Sequence, residues 1–71
     1  LEREARLDLA RNLMQRSEFS SIPTILQPLS QDADALFITG LARFQLQNYE
    51  EAAADFFQAA NLGTENLGET A

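Results

Sequence analysis

The sequence predicts an all-α fold made of short antiparallel helix hairpins. Three observations carry this. Apolar side chains recur at spacings of three and four, and no segment alternates apolar with polar as a half-buried strand does. The segments between them are short and hold Ser, Pro and Asn, the length and chemistry that join antiparallel neighbours. The chain also repeats its own apolar pattern at a fixed lag, the one that carries Leu7 onto Phe37.

Residues 2–16 are rich in Leu, Ala, Arg, Glu and Gln, all good helix formers. Ala5, Leu9 and Leu13, with Leu7, Ala10 and Met14 beside them, make a wide apolar stripe. Glu2 with Arg6 and Asp8 with Arg11 are spaced to pair on the polar face. Ser17–Ser21 breaks the pattern, and Ser20 or Ser21 is expected to cap a second helix with Pro23 in its first turn. Ile22, Ile25, Leu26 and Leu29 face that helix inward. Pro28 lacks a backbone donor and crowds the Thr24 carbonyl, so a kink or early end is expected there.

Ser30 or Asp32 is the next candidate cap, opening a third helix over 33–47 that is apolar almost all round and is therefore expected to be buried on two sides or to share one side with a partner. Asn48 with Glu51 reads as a capping box. The fourth helix then places Ala52, Phe56 and Ala59 on one stripe, with Ala53, Phe57 and Ala60 beside it. Asn61–Gly63 is expected to end it. Residues 63–71 read as a tail, frayed by two glycines, or as the start of a further helix capped by Thr64. The chain opens on Leu1 with no leader pattern, which fits a piece of a longer protein.

At that lag Ala10 falls on Gly40 and Met14 on Phe44; Phe19 falls on Tyr49, Ile22 on Ala52 and Leu26 on Phe56. The small residue at 10 or 40 lets two helices approach, and the aromatic at 19 or 49 plugs the turn between them. The stretch Ala35–Leu62, ALFITGLARFQLQNYEEAAADFFQAANL, resembles a tetratricopeptide repeat through Leu36, Gly40, Tyr49, Ala52, Phe56 and Ala59 in the family's order. Residues 3–32 resemble a degenerate copy, through Ala10, Phe19, Leu26 and Leu29, and residues 33–62 are the clearer one. The resemblance implies a single domain over 1–71, its hairpins stacked as a short tetratricopeptide-like α-solenoid. The alternative is another small four-helix arrangement.

Charge and residue inventory narrow the function. Eleven acids against five bases give a net charge of −6, and the bases are all Arg. That sign repels a phosphate backbone, so no nucleic-acid partner is expected. No run of apolar residues is long enough to span a membrane, and no membrane partner is expected. The charge is uneven: residues 1–16 hold four Arg against three acids, and residues 17–71 hold eight acids against Arg43 alone.

The chain has no His, Cys or Lys and no Gly-rich phosphate loop, so no enzyme activity, catalytic residue, metal or cofactor is expected. The acid pairs Asp32/Asp34 and Glu50/Glu51 sit at predicted helix starts, where the helix dipole favours them. Asp32-Ala33-Asp34 does not continue as a calcium loop.

The resemblance instead implies protein or peptide binding on the concave face lined by the first helix of each repeat. Carried onto this sequence, its partner-binding positions are Leu7, Arg11, Met14, Phe37, Leu41, Phe44 and Gln45, with Glu4 and Gln15 beside them. Arg11 alone cannot form the family's Lys-, Arg- and Asn-based carboxylate clamp, so chaperone C-terminal tails are not expected to bind. A second expectation is self-association into a homo-oligomer, or packing on flanking repeats, because two repeats fall short of the three that usually complete a stacked core.

Overall fold

The structure, a computed structural model, describes the backbone of residues 2–70 and the side chains of residues 2–62. Four α-helices and two 3-10 turns follow one another: α1 Arg3–Gln15, a turn Phe19–Ser21, α2 Ile22–Leu26, a turn Gln27–Leu29, α3 Ala33–Gln45 and α4 Tyr49–Thr70. No strand occurs among the described residues. The fold is all-α, as the apolar spacing predicts.

The sequence lag reappears in the backbone. Helices α1 and α3 are both 13 residues long, and they begin at equivalent positions, Arg3 and Ala33. They also end alike. Ser17 N–H donates to the Met14 carbonyl at 3.1 Å and Glu18 N–H to the Leu13 carbonyl at 2.9 Å. At the equivalent positions after α3, Gln47 N–H donates to Phe44 at 3.0 Å and Asn48 N–H to Arg43 at 2.9 Å. Both ends are Schellman motifs, in which a left-handed residue lets the chain turn back onto the last helical carbonyls. That residue is normally Gly, but here it is Ser17 at φ 60° and Gln47 at φ 66°.

The hairpins diverge after the turn. Pro23 stands in the first turn of α2, as expected, but α2 has only five residues. Pro28 then opens the second 3-10 turn, the early end its ring enforces. The fourth helix has no proline and runs 22 residues.

Three expectations need correction. Neither Ser20 nor Ser21 caps α2 through its side chain. The turn Phe19–Ser21 runs straight into the helix, so Ser21 already has helical angles (φ −83°, ψ −20°), whereas a cap needs extended backbone. The third helix stops at Gln45, short of position 47, because Gln47 takes the left-handed position. The fourth helix continues through Asn61–Gly63 to Thr70, so neither a stop, a separate capped helix nor a frayed tail follows Gly63. Glycine ends a helix only by turning left-handed; inside one it costs about 1 kcal/mol, which the helix absorbs.

The core joins the first hairpin to α3. Leu7, Ala10 and Leu13 from α1, Ile22 and Leu26 from α2, and Ala35, Ile38 and Ala42 from α3 form one buried cluster. Helix α3 lies against all three other helices, most extensively α4. Gly40 permits this closeness. A Cβ at that position would stand 2.7 Å from Cε1 of Phe56.

Candidate functional site: a groove between the first and third helices

Helices α1 and α3 run side by side with both N-termini at the same end. That end is fixed by Arg3, whose guanidinium pairs with Asp32 and reaches Asp34 Oδ2 at 3.0 Å. Asp32 also caps α3, accepting from Ala35 N–H at 3.1 Å. The Arg3 hydrogen bond is the main reason the Asp32 carboxyl is held below its usual pKa, with the Ala35 N–H adding to it against partial desolvation. The acid pair at 32/34 is therefore half of an ion-pair cluster that ties two helix starts together.

Beyond this strap the two helices leave an open groove of about 450 Å³, lined by Arg11, Met14 and Gln15 of α1 and by Asp34, Phe37, Ile38 and Leu41 of α3. Residues 34, 37, 38 and 41 lie on one side of α3, because steps of three, one and three return to the same face of a helix. The floor is apolar. Arg11 carries the positive charge of the rim and is paired with Asp8 at 3.4 Å. Phe37 is 52% exposed and its ring stands 5.7 Å from that of Phe56, tilted against it. The Phe56 ring that fills the space above Gly40 therefore also props Phe37 toward the groove.

Four of the expected partner-binding residues, Arg11, Met14, Phe37 and Leu41, come together here, with Gln15. The other three do not line it. Leu7 is only 3% exposed and belongs to the core: its position faces the groove, but α3 closes over it, so as a contact residue it is corrected. Phe44 is 51% exposed and stacks edge-on against Tyr49, ring centroids 5.3 Å apart, at the turn into α4. Gln45 is exposed outside the groove. Sequence reasoning missed Asp34 and Ile38 as lining; their spacing from Phe37 and Leu41 was the available signal.

Behind the groove, Arg43 of α3 donates to Asp55 of α4 at 2.9 Å. Asp55 is 6% exposed. Thr39 is buried too and returns its hydroxyl to the Ala35 carbonyl at 2.8 Å. Among the described residues no three His, Cys, Asp or Glu side chains converge to hold a metal ion, and no helix is long and apolar enough to cross a membrane. Comparison with known proteins matches the chain to no family model, no curated protein and no solved structure.

Proposed function

We propose that this chain is a protein-interaction module of tetratricopeptide type, in which the α1/α3 groove holds an apolar segment of a partner protein. The observation that carries the reading is the half-exposed Phe37 lining, with Met14 and Leu41, a largely apolar groove. An exposed aromatic in a concave apolar setting is what a hot spot requires. The equal helices α1 and α3, closed by the same turn at equivalent positions, support the repeat reading. The mechanism is shape and desolvation: the paired helices form a rigid wall and the partner's apolar side chains displace water from it. No catalytic step, cofactor, nucleic acid or membrane enters this reading. Arg11 is the one basic residue lining the groove, so a carboxylate-terminated chaperone tail is not its ligand.

The test is selection of binders from a random peptide display library, followed by titration against Phe37→Ala and Leu41→Ser. Selected peptides are expected to be rich in Leu, Ile and aromatic residues and to bind Phe37→Ala about 10-fold or more weakly. Binders insensitive to both substitutions would overturn the reading.

A second reading, self-association, is favoured by the apolar side chains left at the surface away from the groove: Leu9 at 39% and Phe57 at 69% exposure.

A further inference from the structure

Internally, α3 seats on α2. Pro23, Leu26, Gln27 and Leu29 face Leu36, Thr39 and Arg43 across that seam. Of its α3 residues, Leu36 and Thr39 are buried and Arg43 is half-buried. Shifted back by one repeat, those positions are Arg6, Leu9 and Leu13 of α1, of which Leu9 is exposed, Arg6 is half-buried and Leu13 belongs to the core. Shifted forward by one repeat, Pro23, Leu26, Gln27 and Leu29 become Ala53, Phe56, Phe57 and Ala59 of α4, of which Ala53 and Phe57 are exposed and Phe56 and Ala59 half-buried. Leu9 on one side and Ala53 and Phe57 on the other are thus the seam positions left open at the surface.

Charge matches the same register. The turn Phe19–Ser21 lies against α3, so Glu50, the repeat equivalent of Ser20, falls against α1 in the next copy. Helix α1 is capped by Arg16, an exposed residue whose partner within the chain is Glu18 at 2.9 Å on the surface. Over its described side chains α4 carries Glu50, Glu51 and Asp55 and no base, whereas α1 with its caps holds four Arg against Glu2, Glu4 and Asp8.

The geometry points to head-to-tail stacking of copies of this chain, with the Leu9 face of α1 in one copy seated on the Phe57 face of α4 in the next. This rests on the self-association reading and is independent of the groove. Such a contact is heterologous, so it propagates beyond a dimer. It joins opposite charges and weakens with salt.

Sedimentation of the full chain from about 10 μM to about 1 mM tests it. The mean mass is expected to pass that of a dimer as concentration rises, and to fall when salt is raised from about 0.05 M to about 0.5 M. Leu9→Asp and Phe57→Asp each leave one half of the seam intact. Each variant alone is expected to be monomeric with unchanged helicity, and an equimolar mixture is expected to form a 1:1 dimer that grows no further. Arg16→Glu is expected to weaken wild-type association several-fold. A wild-type chain that stays monomeric overturns both the stack and the self-association reading. A wild-type mass that stops at a dimer overturns the stack alone, as does a mixture of folded variants that stays monomeric.

Discussion

Ser17 and Gln47 each occupy a left-handed backbone position that a side chain with a Cβ adopts at a cost of about 1–2 kcal/mol. Both are held there by the hydrogen bonds that close the helices before them. Gln47→Gly removes that cost but adds chain entropy to the unfolded state, so a gain of about 0.5–1 kcal/mol is expected. In a domain this small the melting temperature should rise by several degrees. Gln45→Gly, inside α3, should lower it. Neither turn was legible as a Schellman motif, because the marker read in sequences is glycine, and the backbone here takes the conformation without it.

Asp32 carries a pH dependence. Its carboxyl is held below the usual value chiefly by Arg3, so its contribution to stability is present above the unfolded pKa of about 3.9. It is lost as pH falls through the lower folded value. Asp32→Asn should therefore be less stable than the wild type at pH 7. That difference should shrink in melts recorded at progressively lower pH below about 4. A constant difference across the range would show that the ion pair with Arg3 does not act on stability.

Among the elements, α3 and α4 differ from α1 and α2 in a partly buried ion pair as well as in helix length. Arg43 and Asp55 stand where the first hairpin has Leu13, a member of the apolar core, and Ile25, which packs against it. Removing one partner strands the other, so Asp55→Ala should cost about 2–4 kcal/mol, moderated by the partial exposure of Arg43. Arg43→Leu with Asp55→Ile, which copies the first hairpin, should recover most of that loss, and paired urea titrations would measure it. The helix pattern, a kink or early end at Pro28 and a cap at Ser30 or Asp32 were readable from residue types alone, and the structure selects the early end and Asp32. The Arg43–Asp55 pair was not, because two charges on different helices, separated by a turn, leave no local periodicity. The full length of α4 was also missed: two glycines weaken a helix without ending it.

At the scale of the molecule, the core cluster draws on both hairpins, so they should unfold together. Leu26→Ala empties a site that is 2% exposed and should cost about 2–5 kcal/mol, close to the whole stability of a domain this small. Loss of helicity throughout the chain is expected, with the circular dichroism signal and the Tyr49 signal falling together. Retention of a folded α3–α4 hairpin would show two independent units. Four residues of the groove, Arg11, Met14, Phe37 and Leu41, were expected from the family resemblance, but whether α3 would cover Leu7 or Met14 on the same stripe of α1 depends on helix separation and not on spacing.

The Arg43–Asp55 pair bears on how the chain avoids a wrong assembly. Helices α1 and α3 share their length and closing turn, so α1 is the natural decoy for α4 while the polypeptide is still collapsing. A mispaired α4 would bring Asp55 against Leu13 and strand a carboxylate among hydrocarbons, several kcal/mol uphill. That mistake is short-lived, and the buried Asp55 carboxylate acts as an address that α4 finds only on α3.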